Sequence, residues 1–274
     1  MFEDITKIII FSDMDGTLLN SKKQINGIDR KAIEKFTSLG GKFTIATGRT
    51  IQSFRQYQSI LNLKMPVIMY NGAMIYNYFT DKILYSQSLP ELSRKMTSEI
   101  LNIMPDTGGE VVRADGTYIF NNNEYETLHT NLCRIIPEYM NINDIPEGGW
   151  LKVLFALAPE YIPYLEILVK QLGYDNQVNF VRSANIFLEM LPKGISKGSA
   201  MNEYKKLDGM NDFKFIAVGD FDNDIEMIQS ADLGVCPANS EESVKNKSDI
   251  VLNSTNDEGA VSELINYVIE KTED

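Results

Sequence analysis

Both ends of the chain alternate short, unbroken apolar runs with stretches of helical period, and this alternation constrains the fold more than any other feature. From residue 7, "KIIIFSD" is a run of the kind that forms a strand buried on both faces. "DRKAIEKFTSLGG" follows, with apolar residues at Ala32, Ile33, Phe36 and Leu39 and a closing Gly40, the pattern of a helix and its stop. "KFTIATGR" reads as a second strand and "TIQSFRQYQSILNL" as a helix, while "PVIMYNGAMIYN" reads as a strand passing through an Asn-Gly turn into another. The C-terminal part repeats this grammar. Helix "SKGSAMNEYKKLDG", strand "KFIAVGD", helix "NDIEMIQSAD", strand "LGVCPA", helix "SEESVKNK", strand "DIVLN" and helix "GAVSELINYVIEK" succeed one another. Such alternation predicts an α/β fold with a doubly wound, Rossmann-like parallel sheet to which both ends contribute.

Between them the texture changes. "EVVRADGTYIF" bends at Asp-Gly and "VNFVRSANIFLEML" bends near Ser183 to Asn185, as paired strands do. Helices are expected in "PELSRKMTSEILNIM", "NEYETLHTNLCRIIPEYM" and "PEYIPYLEILVKQLG", with "WLKVLFALA" a further strand. The expected organisation is a core made of residues 1–80 and 192–274 with an inserted α+β domain at 81–191, joined by hinges near Tyr78 to Ile83 and Leu191 to Gly194. A chain of 274 residues, 43% of them hydrophobic, can bury two such cores.

A formal charge of -12 argues against a nucleic-acid surface, which needs clustered Lys and Arg. No apolar stretch approaches the roughly 20 residues that span a bilayer, and "MFEDITKIII" lacks the basic region of an export signal. Cys133 and Cys236 lie far apart without a CxxC pair and read as buried or idle thiols, which fits a cytoplasmic setting. The acid excess poses a problem for any anionic ligand, and a divalent metal is the economical way to place positive charge between the two.

The polar residues fall where such a sheet binds ligands. Asp13 ends the first strand, Thr47 the second, and Asp220 the strand "KFIAVGD", all at carboxyl ends. Lys197 opens a helix, and Asn223 and Asp224 follow Asp220 in "GDFDND". A calcium loop is excluded, because counting from Asp220 puts Ile225 where an EF-hand requires Gly and Ala231 where it requires Glu. A strand-tip carboxylate can attack phosphorus and split hydrolysis into two displacements, which makes Asp13 the candidate nucleophile. Asp15 is spaced to protonate the leaving oxygen and then take a proton from water. Gly16 permits the turn. Mg2+ held by Asp13, the Met14 or Asp15 carbonyl and Asp220 would neutralise the site, with Asp224 supporting the metal through water or pairing with Lys197. The Thr47 hydroxyl and Gly48 amide can donate to phosphoryl oxygens, with Lys197 a fixed charge and Asn223 a further phosphate contact. Arg49 and Arg113 could reach anionic substrate groups or form ordinary salt bridges; Glu189 is equally open, and His129 in the insert reads as a surface or packing residue rather than a substrate contact.

Together "DMDGTLL", "TIATGR", "ISKGSAM" and "VGDFDNDIEMI" resemble the four motifs of the haloacid dehalogenase superfamily, specifically its Cof-type phosphatases. "YNGAMIY" before the long insert resembles that subfamily's junction with its cap. The resemblance spans nearly the whole chain. It implies a hydrolase core, a mobile cap and Mg2+-dependent removal of phosphate from small metabolites such as sugar phosphates, flavin mononucleotide or pyridoxal phosphate, and it assigns the metal-binding carbonyl to Asp15. Two stretches depart from the pattern. "VCPANS" stands where many relatives carry Gly-Asn-Ala, with Asn239 still aligned, and "NDEGA" replaces an acidic-Gly-Val ending. Two alternative functions share the motifs: a phosphomutase, in which a sugar accepts the phosphoryl group, and a sensor that binds a phosphorylated ligand without turnover.

Overall fold

The computed structural model describes residues 3–273. The first leg of the chain forms β1 (Ile8–Ser12), α1 (Gly27–Ser38), β2 (Lys42–Ile45), α2 (Ile51–Leu61), β3 (Val67–Met69), β4 (Met74–Asn77) and β5 (Lys82–Ser86). The middle leg forms α3 (Ser93–Ile103), β6 (Gly108–Arg113), β7 (Thr117–Asn121), α4 (Glu124–Cys133), β8 (Glu138–Tyr139), β9 (Trp150–Ala156), α5 (Ile162–Gln171), β10 (Val178–Ala184) and β11 (Phe187–Pro192). The last leg forms α6 (Lys197–Lys205), β12 (Lys214–Val218), α7 (Ile225–Ser230), β13 (Leu233–Cys236), α8 (Glu242–Lys245), β14 (Ile250–Val251) and α9 (Ala260–Glu273). No described helix is long and apolar enough to cross a membrane.

The chain divides into two compact units, residues 1–47, 56–85 and 196–274 in the first and residues 48–55 and 86–195 in the second. In the first, first and last legs interleave in a wholly parallel sheet ordered β14-β13-β12-β1-β2. β1 is central and every residue in it is buried, which is why its sequence is a continuous apolar run rather than an alternating one. Phe11 meets Tyr204 edge to face and Phe215 at a tilt, with ring centroids 5.0 Å away in each case, tying β1 to α6 and β12. The carboxylate of Asp29, fully buried in α1, accepts from Ser262 N at 2.7 Å and so docks the start of α9. β3, β4 and β5 form a separate small sheet, with Ala46 and Ile68 making one parallel bridge between the end of β2 and β3. Residues 82–85 of β5 fall in the first unit.

The second unit is built on a sheet ordered β10-β11-β9-β6-β7-β8, antiparallel apart from the β7–β8 pair. One core gathers Met96 and Ile100 of α3, Leu165 and Val169 of α5, and Trp150, Val153 and Phe155 of β9. α4 is shorter than its apolar pattern suggested. The stretch expected to stay helical to Met140 stops at Arg134, a left-handed C-cap at φ 52° whose N–H turns back to the helix, and Pro137 forbids resumption. Glu138 and Tyr139 instead pair with Tyr118 and Ile119.

Candidate active site

Sheet register assembles the site. Ser12 pairs with Val218 on one side and Ile45 on the other, so β1, β12 and β2 end along one edge. Asp13 leaves β1 with its N–H donated to Val218 O at 2.9 Å, Asp220 follows two residues beyond β12, and Thr47 follows two residues beyond β2. Lys197 arrives from α6, whose N-terminus is locked by a reciprocal capping box: Ser196 Oγ accepts from Ser199 N and Ser199 Oγ accepts from Ser196 N, each at 2.9 Å. Gly72, at φ 104°, lets the chain after β3 press against this cap, where an added Cβ would lie 2.1 Å from Ser196 O.

The Lys197 ammonium, 1% exposed, donates to Asp13 Oδ1 at 2.5 Å and to Asp224 Oδ1 at 2.6 Å. Asp224 Oδ2 accepts the N–H groups of Asp220 and Phe221 at 3.0 and 3.2 Å, folding the 220–224 loop around its own carboxylate. Asp220 Oδ1 accepts from the buried Thr17 hydroxyl at 2.6 Å. Gly16, at φ 91°, brings the loop after Asp15 so close that an added Cβ would sit 2.2 Å from Asp220 Oδ2.

Oxygen atoms of Asp13, Asp220 and Asp224 all lie within 4.8 Å of one another. Burial pushes Asp13 up to about 7 against the downward pull of Lys197. Asp220 is held well above its ordinary range by burial first and by Asp13 and Asp224 next. Burial opposes the charge on Lys197, yet the two carboxylates outweigh it and raise the ammonium's pKa. Three crowded carboxylates against one ammonium is a donor set of hard oxygens short of positive charge, and it fits a divalent cation. The Met14 carbonyl already accepts from Leu18 and Leu19 N–H at 3.1 and 2.7 Å.

The charge of Asp15 is felt by Asp13, and Asp15 Oδ1 accepts from Lys23 Nζ at 2.8 Å. Asn223 Nδ2 donates to Asn71 Oδ1 at 3.0 Å, and Asn71 N donates to Thr47 O at 3.0 Å. The Asn71 linkage is absent from the motif reading. Its only sequence signal is the Asn-Gly pair of "YNGA", which marks a turn but not that Tyr70 and Asn71 both take left-handed backbone. Asn239 binds Gly16 O at 2.8 Å through Nδ2.

Gly48 and Arg49 follow Thr47 in the chain but belong to the second compact unit. There Gly48 O accepts from Lys152 Nζ at 3.1 Å, and Arg49 is 5% exposed. Lys152 also donates to Glu189 Oε2 at 2.9 Å, so Glu189 is one half of a buried ion pair. Arg113 is a structural clamp that binds both Asp115 oxygens and the Pro146 and Gly148 carbonyls. His129 lies 3.3 Å from the buried Glu110, with Nδ1 3.7 Å from Cys133 Sγ one turn along α4, so the lone histidine packs into an ionic cluster.

The family model of haloacid dehalogenase-like hydrolases matches residues 10–265. The chain is 27% identical to 5-amino-6-(5-phospho-D-ribitylamino)uracil phosphatase YcsE of Bacillus subtilis (strain 168), covering 97% of this chain and 98% of that one. It is 23% identical to pyridoxal phosphate phosphatase YbhA of Escherichia coli (strain K12), covering 97% and 100%. A haloacid dehalogenase-like hydrolase from Bacteroides thetaiotaomicron superposes with a TM-score of 0.80 at 27% identity, covering 95% of this chain and 99% of the other. With the family matched over nearly its whole length and the parallel sheet ending in the expected acids, the chain belongs to the haloacid dehalogenase-like hydrolases.

Proposed function

We propose that this protein is a Mg2+-dependent phosphatase that hydrolyses small phosphorylated metabolites through a phosphorylated Asp13. As a member of a hydrolase family whose named relatives are phosphatases, it is a phosphoric monoester hydrolase. The observation that carries the finer reading is the buried group of Asp13, Lys197, Asp220 and Asp224 at the carboxyl edge of the sheet.

The Asp13 carboxylate attacks phosphorus and the bond to the ester oxygen breaks, with the departing oxygen taking a proton from the Asp15 carboxyl. Water then attacks the acyl phosphate, giving a proton to the Asp15 carboxylate, and inorganic phosphate leaves as the Asp13 carboxylate is restored. Lys197 holds the Asp13 oxygens in line and offsets charge that builds on the phosphoryl group. The Thr47 hydroxyl, the Gly48 amide, Arg49 and Asn223 serve as phosphate contacts. Asp13, Asp220, Asp224 and the Asp15 carbonyl are the set that would hold Mg2+, which supplies positive charge to orient and neutralise the phosphoryl oxygens. The prior engagement of the Met14 carbonyl supports Asp15 as the source of that fourth oxygen.

The second compact unit takes the part of a cap that selects the substrate. Sugar phosphates and phosphorylated cofactors such as flavin mononucleotide or pyridoxal phosphate are the class we assign. A cytoplasmic setting belongs to the same reading and is supported by two cysteines that form no disulfide.

The test is a screen of phosphorylated metabolites with Mg2+ and with EDTA, ranked by kcat/KM, with Asp13→Asn as control. Phosphate release that needs the metal and vanishes in the folded variant is the expected result. Turnover undiminished by EDTA, or by Asp13→Asn, would overturn the reading.

A further inference from the structure

Lys23 belongs to none of the motifs, yet the turn that carries it is held on every side. Its own backbone lies at φ 56°, a left-handed conformation that a lysine adopts at a cost. Lys23 N donates to Asn20 O at 2.8 Å, and Asn20 N donates to Gln24 O at 2.9 Å. Asn20 Oδ1 accepts from Lys22 N and Gln24 N, each at 3.0 Å, so one side chain ties the turn from within. From α2, the Tyr57 hydroxyl donates to Lys23 O at 3.1 Å. The result is an ammonium 2.8 Å from Asp15 Oδ1.

Stability does not explain this construction. The two side chains are 34% and 37% exposed, and ion pairs so open to water add little to folding, whereas the left-handed backbone works against it. A purpose at Asp15 does explain it. A carboxyl that trades a proton with a leaving oxygen must be aimed to within a fraction of an ångström, and a hydrogen bond from an ammonium presented by a tied turn serves that end.

We propose that Lys23 is a positioning residue for Asp15, orienting the carboxyl that exchanges protons with the leaving group. The inference rests on Asp15 acting as the acid and base of the proposed phosphatase reaction. Lys23 itself touches neither substrate nor metal in this proposal. Tyr57 and Asn20 act one step further out, by fixing the turn from which the ammonium is presented.

The test compares kcat/KM for a hexose 6-phosphate, whose leaving oxygen needs a proton, with that for 4-nitrophenyl phosphate, whose leaving group does not. Asp15→Asn is expected to lose about 10² to 10⁴ on the sugar phosphate and much less on the aryl phosphate. Lys23→Met, at unchanged thermal midpoint, is expected to lose about 10-fold on the sugar phosphate and about 2-fold or less on the aryl phosphate, a part of the acid's worth. Lys23→Arg is expected to restore most of the sugar phosphate rate. In the Asp15→Asn background Lys23→Met should cost nothing further, because the two act as one unit. If Lys23→Met misfolds, Tyr57→Phe releases the turn with both charges kept and should show the same substrate-dependent loss. A wild-type rate on sugar phosphate in Asp15→Asn would overturn the acid and base reading itself. A large loss in Asp15→Asn with none in Lys23→Met or Tyr57→Phe, or equal losses on both substrates, would overturn only the positioning role.

Discussion

Lys197 Nζ donates to Asp13 Oδ1 at 2.5 Å across 184 residues of sequence, and the pair is almost wholly closed to water. The same ammonium neutralises part of Asp224. It is at once a shared cationic partner of two buried carboxylates and the fixed charge beside the proposed nucleophile.

Lys197→Met is therefore expected to fail in two ways. Removing one partner of a buried ion pair leaves uncompensated charge and costs about 3–5 kcal/mol, read in urea unfolding at neutral pH. Because Mg2+ would then be the main counter-charge, the variant should gain more thermal stability on adding Mg2+ than the wild type does. Loss of preorganised charge should lower kcat by about 10²–10³. A stable Lys197→Met protein with near-normal turnover would remove Lys197 from the proposed machinery.

Gly16→Ala probes the cradle around Asp220. The left-handed backbone at φ 91° is strained for alanine, and the new Cβ would lie 2.2 Å from Asp220 Oδ2, so either the loop or the carboxylate must move. The backbone cost is roughly 1–2 kcal/mol. A weaker midpoint in a Mg2+ titration of thermal stability is the more telling readout. Unaltered Mg2+ response in the variant would separate Gly16 from the metal site.

The ionic cluster of the second unit makes a prediction about pH. Burial, and then the charge of Glu110, push the Glu126 carboxyl up to about 9 from 4.5. Burial opposes charge on His129, but Glu110 beside it wins and holds the imidazole well above its ordinary 6.5. Both groups keep protons in the folded protein that the unfolded chain releases, so their stabilisation is complete below the unfolded values and declines as pH rises. For Glu126 the decline runs from about 4.5 to about 9. Glu126→Gln, an isosteric neutral side chain, should flatten the fall of the thermal midpoint between these limits. Identical slopes in variant and wild type would show that Glu126 ionises freely in the fold.

What the sequence determined by itself is what is local. The unbroken apolar run of "KIIIFSD" specifies a strand buried on both faces, and the acid after it must stand at the strand's end. The order of motifs along the chain was legible for the same reason, since each is a strand end or a helix start readable from its immediate neighbours. Partnership across the chain was not. Asp13 and Asp220 meet because β1 and β12 pair in a register of Ser12 with Val218, and no pattern within either strand states that register. Asn71 reaches both Thr47 and Asn223 because consecutive residues take left-handed backbone, which the Asn-Gly pair permits without requiring. Lys23 meets Asp15 from a turn whose carbonyl accepts from Tyr57, on a helix formed later in the chain. In the second unit, the register sets Glu110 and Glu189 opposite Leu154 on neighbouring strands, so residues with no sequence relation share one face of the sheet. Such pairings are decided by which surfaces close against each other once water is excluded, a property of the folded chain as a whole.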